Sequence, residues 1–149
     1  MPPGLSGGNF GLDSIPDFTA HHGGVAGRAH NEAAFRHFLG IELRRADRSG
    51  HCLLLVLVAV RDSTGRNTRL APLAASKVFS ALGTSVREVD FVGWFKEGRI
   101  AAAALVQRAT PTSEIQQQIA GRVMKTLQRE NFTSSGVARV RVVPLRGQR

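Results

Sequence analysis

The sequence predicts an α+β domain of the ferredoxin-like, split βαβ type, with a four-stranded sheet whose helices pack mainly on one face. The run "CLLLVLVAV" is continuously apolar, as expected of a central strand that is buried on both faces. Residues 89–106 contain two apolar segments joined by a short charged turn, which indicates a hairpin. Segments with helical periodicity complete the order helix, strand, helix, strand, strand, helix, strand.

The first helix is predicted in "NEAAFRHFLGIELRRADRSG", from the N-cap residue Asn31 to the terminating residues Ser49 and Gly50. The second and third lie in "RLAPLAASKVFSALG" and "SEIQQQIAGRVMKTLQREN". Each of these segments repeats apolar residues along one face. The predicted faces are Phe35, Phe38, Leu39, Leu43 and Ala46 in the first helix, Leu73, Val78, Ala81 and Leu82 in the second, and Ile115, Ile119, Val123 and Leu127 in the third.

The hairpin strands are predicted at residues 89–95 and 100–106, with Gly98 taking a positive φ in the turn. The last strand, "VARVRVV", alternates valines with Arg139 and Arg141, so one face packs and the other meets water. The right-handed crossover rule puts the first strand beside the second hairpin strand. The end of the first strand, residues 59–61, therefore lies near the hairpin tip, where two carboxylates could hold a metal on a triphosphate.

Composition limits the classes of function. The chain has 149 residues, a formal charge of +9 and one cysteine, Cys52, which excludes an internal disulfide and predicts a reducing, cytoplasmic setting. The charge points to a polyanionic partner such as nucleic acid, a nucleotide or an anionic surface. No secretory signal or membrane-spanning run is visible. We expect residues 1–30, including His21, His22 and His30, to form a flexible, solvated arm, and residues 144–149 a basic tail.

From Asn31 to about residue 143, the order of elements resembles a GGDEF domain, the palm-like domain of bacterial diguanylate cyclases. The segments "NEAAFRHFLGIELRRADRSG", "LLLVLVAV", "REVDFVGWFKEGRIAAAAL" and "SEIQQQIAGRVMKTL" carry the resemblance. It implies a bacterial signalling module that occupies residues 31–143.

The family's catalytic acids are missing from the matching positions. Where the resemblance implies two metal-binding aspartates at the end of the first strand, this chain has Ala59 and Arg61. The signature itself falls on Lys96, Glu97, Gly98, Arg99 and Ile100. We therefore predict an inactive domain that holds neither metal nor cofactor. The basic residues Arg61, Lys96 and Arg99 either contact phosphates directly or form a solvated tip.

One feature of the family is retained, an Arg-x-x-Asp pair formed by Arg87 and Asp90. The resemblance implies a cyclic di-GMP site here, because a guanidinium can bind the guanine O6 and N7 atoms and a carboxylate can accept from guanine N–H groups. The alternative is that Asp90 closes the preceding helix and Arg87 is surface charge. Trp94 is expected to pack rather than to stack on guanine.

Three functions stay open. The first is an inactive regulatory or scaffolding GGDEF-like module, with cyclic di-GMP as a ligand and a protein partner. The second is a module that only binds protein through its basic surface. The third is nucleic-acid binding, which ranks last because aromatic residues are few and no stacking motif lies on the central strands.

Overall fold

The computed structural model describes residues 29–84, 86–87, 90–130 and 136–146. Within these ranges the elements follow the predicted order. They are α1 (Glu32–Ser49), β1 (Cys52–Arg61), α2 (Pro72–Gly83), β2 (Phe91–Lys96), β3 (Ile100–Gln107), α3 (Ser113–Arg129) and β4 (Val137–Arg146).

The four strands form one sheet in the order β2-β3-β1-β4, and every neighbouring pair is antiparallel. As predicted, β1 lies beside β3, and Ala59 is paired with Ile100 at the hairpin end of the sheet. Cys52 is paired with Gln107 at the other end. The register therefore defines two opposite ends of the sheet, about 25 Å apart along β3.

The helices divide between the two faces of the sheet. The even-numbered residues of β1, such as Leu54 and Val56, pack with α2 and α3 in the larger core. The odd-numbered residues Leu53 and Leu55 pack against Phe35 of α1 on the other face. The fold class is confirmed: the two crossover helices share one face, and the entry helix covers the other.

The ends of α1 are set by the predicted residues. The Asn31 side chain accepts a hydrogen bond from the Ala34 backbone at 2.8 Å, and Gly50 closes the helix at φ 74°. Glycine is favoured there because a left-handed backbone strains other residues. Between these caps, Phe35 is fully buried, so burial of this face stabilises the helix on the sheet.

Two residues of the predicted apolar faces are exposed. Leu73 is 71% exposed and Ile115 is 46% exposed. Both lie in the first turn of a helix, where the side chain extends past the edge of the core. The periodicity of the sequence does not show where the sheet ends. Phe79 fills the core instead, with its ring 5.0 Å from that of Trp94, so Trp94 packs as expected.

The chain ends of the domain also differ from the prediction. β4 continues through Pro144 and Leu145, which lie in the predicted tail, because Leu145 packs on the α1 side of the sheet. Proline is tolerated there because β4 is an edge strand. At the other end, His30 is not solvated: it forms a parallel bridge with Gly93, and its ring lies 4.9 Å from that of Phe38. The rest of the predicted arm, residues 1–28, and the final residues 147–149 lie outside the described residues.

Candidate functional site

The hairpin tip and the end of β1 do meet, as the topology predicts. Gly98 has φ 74°, and the Arg99 backbone donates to the Lys96 carbonyl at 2.9 Å, which closes the turn. Because Ala59 is paired with Ile100, residues 59–61 approach the turn from the neighbouring strand. The positions that the resemblance marks as catalytic are thus juxtaposed in this structure.

Glu97, the one acid in the turn, is hydrogen-bonded to Glu32 at the start of α1. Its carboxylate accepts a hydrogen bond from the Glu32 backbone at 2.9 Å, and its own backbone donates to the Glu32 carboxylate at 2.7 Å. Glu32 also pairs with Arg36 at 3.2 Å. The reciprocal contact satisfies two backbone N–H groups and fastens the hairpin to the start of α1.

Asp62, the first residue after β1, organises its own loop. It accepts hydrogen bonds from the Thr64 hydroxyl and from the backbones of Thr64 and Arg66. These bonds, the Thr64 hydroxyl first among them, lower the pKa of the Asp62 carboxyl. The carboxylate is therefore committed to the turn that leads into α2.

The donor atoms at this end of the sheet do not fit a divalent cation. Ala59 and Gly98 have no side-chain atom that could bind a metal ion, and Arg61 and Arg99 bring positive charge. Magnesium requires oxygen ligands. Among the described residues, no three His, Cys, Asp or Glu side chains are grouped so that they could hold a metal ion.

Arg87 and Asp90 lie together at the opposite end of the sheet. The Asp90 side chain has no exposed surface, and its oxygens accept from the backbone of Arg87 at 2.8 Å and from that of Val106 at 2.9 Å. The guanidinium of Arg87 adds an ion pair at 3.2 Å. Asp90 thus joins the turn before β2 to the end of β3.

Arg87 keeps more of its surface. Its side chain is 59% exposed, and besides Asp90 it donates to the Val106 carbonyl. It lines an open cavity of about 430 Å³. The other lining residues are His51, Val106, Gln107, Arg108 and Ala109.

A second open cavity of about 400 Å³ lies beside the first and shares His51 and Val106 with it. Arg45 and Arg48, from the end of α1, line this second cavity. Sequence reasoning missed that Arg108 and these arginines belong to the same end of the sheet. The strand topology could have shown this, because Cys52 pairs with Gln107 and the end of α1 must therefore lie beside residue 108.

No family model and no curated protein match the chain. Among solved structures, the GGDEF domain of the Pseudomonas aeruginosa protein TpbB, also called YfiN, is similar with a TM-score of 0.52 and 16% identity. The match covers 78% of this chain and 70% of that one. The chain has a GGDEF-like fold.

A second match is the diguanylate cyclase SiaD of Pseudomonas aeruginosa, solved in complex with its activator SiaC. Its TM-score is 0.55 at 17% identity, over 80% of this chain and 46% of that one. This chain therefore spans less than half of SiaD as solved. At such identities the likeness shows the GGDEF-like fold alone. In the described part of the chain, no helix is both long and apolar enough to cross a membrane.

Proposed function

We propose that this GGDEF-like module has no cyclase activity and acts by binding, in a regulatory or scaffolding role. One observation carries the proposal: the register that pairs Ala59 with Ile100 brings together residues 59–61 and 98–100, none of which has a carboxylate side chain. The resemblance assigns Arg61 and Arg99 to positions where the family has acids.

The chemistry of cyclisation explains why this matters. In-line attack on a triphosphate develops negative charge that two bridging metal ions neutralise, and those ions need oxygen ligands at both strand ends. Glu97 and Asp62 are nearby in sequence, but their hydrogen bonds fasten the hairpin to α1 and close the loop after β1. Purified protein incubated with GTP and Mg²⁺ is therefore expected to form no cyclic di-GMP.

We further propose cyclic di-GMP as a ligand of the Arg87 cavity. The exposed guanidinium of Arg87 is the base-binding group, and Arg108 on the same cavity wall is suited to a phosphate. Asp90, whose oxygens already accept from the backbones of Arg87 and Val106, positions that guanidinium rather than accepting from guanine.

Calorimetric titration of cyclic di-GMP into the full chain tests this ligand. We expect saturable binding that Arg87→Ala weakens by at least about tenfold, the effect of losing a charged hydrogen bond. Arg139→Ala is the matched control, because it removes one exposed arginine from β4 without touching the cavity. No binding up to high micromolar ligand, or equal affinity of Arg87→Ala and the parent, would show that the cavity is not a cyclic di-GMP site.

A protein partner belongs to the same proposal. SiaD is solved with a protein activator, and by analogy we propose that this module also docks on a protein. The net charge of +9 favours an acidic partner surface, because complementary potentials speed association and fix orientation.

A further inference from the structure

Five basic residues surround the place where the loop after β1 meets the hairpin tip. Three come from the end of β1 and the loop, and two from the hairpin. We call this cluster the loop–hairpin junction: Arg61, Arg66, Arg69, Lys96 and Arg99. Arg61 is half-exposed and the others are exposed. It lies at the end of the sheet opposite the Arg87 cavity, so the two sites are independent.

Hydrogen bonds hold the loop on the hairpin. The Leu70 backbone donates to the Gly98 carbonyl at 2.7 Å, and the Arg99 guanidinium donates to the Asn67 carbonyl at 3.0 Å. A bridge between Arg61 and Asn67 ties the start of the loop to its middle. The loop is thus fixed against the turn by one backbone hydrogen bond and by one from the Arg99 side chain.

These contacts bring two guanidinium groups to the same turn. A methyl group built on Gly98 would lie 3.1 Å from Nη1 and 3.4 Å from Cζ of Arg69, so the Arg69 guanidinium covers Gly98. The guanidinium of the next residue, Arg99, is held at Asn67, two positions before Arg69. Arginines from two segments are therefore positioned at one small surface.

Their positive charge is only partly offset within the described residues. None of the five basic residues takes part in an ion pair with another described residue. The two nearby acids are committed to backbone groups, Asp62 in its own loop and Glu97 at the start of α1. Five basic side chains against two nearby acids leave an excess of positive charge, and a bound anion reduces the repulsion within it.

We propose that the loop–hairpin junction binds the phosphates of an oligophosphate ligand directly, without a metal ion. A guanidinium presents two parallel N–H donors that match the oxygens of a phosphate, and Arg69 and Arg99 supply two such forks. Lys96 and Arg66, which are exposed and belong to the same turn and loop, add positive charge. A compact, multiply charged anion fits this surface better than an acidic peptide strand, whose side chains on one face stand about 7 Å apart.

The probe is inorganic tripolyphosphate, titrated into the full chain in the presence of EDTA so that no metal contributes. We expect saturable binding that the double substitution Arg69→Ala, Arg99→Ala weakens by about one-hundredfold, about tenfold for each charged contact. Arg87→Ala is expected to bind tripolyphosphate as the parent does, which separates this site from the proposed cyclic di-GMP site.

The matched control is Arg44→Ala, Arg48→Ala, which removes the same charge from exposed positions near the end of α1, at the opposite end of the sheet. Equal weakening by both double variants would overturn the proposal, because binding would then follow net charge rather than the junction. Poly-glutamate that competes as well as tripolyphosphate would overturn it too. The proposal would also be overturned if the protein bound only single-stranded RNA and both double variants lost that binding equally. Folding is checked by the melting temperature, which should fall by no more than a few degrees in Arg69→Ala, Arg99→Ala, because one exposed hydrogen bond to the Asn67 carbonyl is lost.

Discussion

Asp90 is a buried carboxylate with a structural task. Its side chain is fully buried, and two backbone N–H groups, those of Arg87 and Val106, depend on it. Asp90→Ala removes both acceptors, so we expect a loss of about 1–3 kcal/mol in the free energy of unfolding. Arg87→Ala removes an exposed partner and is expected to cost less than about 1 kcal/mol. Urea unfolding checks both, and equal small losses would contradict the structural role.

His30 makes the stability depend on pH. Burial lowers the pKa of its imidazole from the usual 6.5, and its Nδ1 atom is buried without a hydrogen-bond partner. Below pH 6.5, His30 is therefore protonated in the unfolded chain but stays neutral in the folded chain until the pH reaches its lower, folded-state pKa. The stabilising effect of the neutral ring is present above 6.5 and is lost as the pH falls to the folded-state pKa.

We expect the parent to lose more stability than His30→Leu when urea unfolding is repeated at about pH 7.5 and about pH 5.5. Leucine suits the aromatic surroundings of His30 and does not titrate. An identical decrease in both proteins would assign the pH dependence to other groups.

At the scale of elements, the outer edge of β2 is covered by residues just before α1. The His30 backbone donates to the Val92 carbonyl at 3.0 Å, and the Trp94 backbone donates to the His30 carbonyl at 2.9 Å. This approach requires glycine at position 93, because a Cβ there would lie 2.7 Å from the His30 carbonyl oxygen. The segment thereby protects a strand edge that would otherwise be open.

Gly93→Ala should therefore displace this segment from β2. We expect a loss of about 1–3 kcal/mol and faster hydrogen exchange at the Trp94 amide. Gly121→Ala is the control, since it lies inside α3 with no atom within 4 Å of an added Cβ, and it should gain about 0.5–1 kcal/mol. Unchanged exchange at Trp94 in Gly93→Ala would show that the edge contact does not depend on glycine.

The elements themselves could be predicted because their signals are local. Caps at Asn31 and Gly50, the apolar run of β1 and the glycine turn at position 98 each act within a few residues. The exposure of Leu73 and the docking of His30 could not be predicted, because both depend on where a distant strand ends. Periodicity gives the direction of a side chain and not the extent of the surface that it meets.

At the scale of the whole molecule, the sheet separates two basic sites. The hairpin end carries Arg69 and Arg99, and the other end carries Arg87 and Arg108. Topology alone predicted that residues 59–61 would meet the hairpin. It did not predict the task of Asp90, since hydrogen bonding to Val106 depends on the register of β3. Residue types identify the candidate sites, and the side-chain contacts show which groups in them are used within the protein rather than left to bind a ligand.

The central claim is that this GGDEF-like module binds without catalysing cyclisation. The most direct measurement incubates the full chain at high concentration with GTP and Mg²⁺, and again with Mn²⁺, and follows cyclic di-GMP and pyrophosphate by chromatography. An active diguanylate cyclase added to a parallel sample confirms that the conditions support turnover. We predict no product from this chain alone. Metal-dependent product that increases with the protein concentration and is lost when the protein is removed would contradict the account.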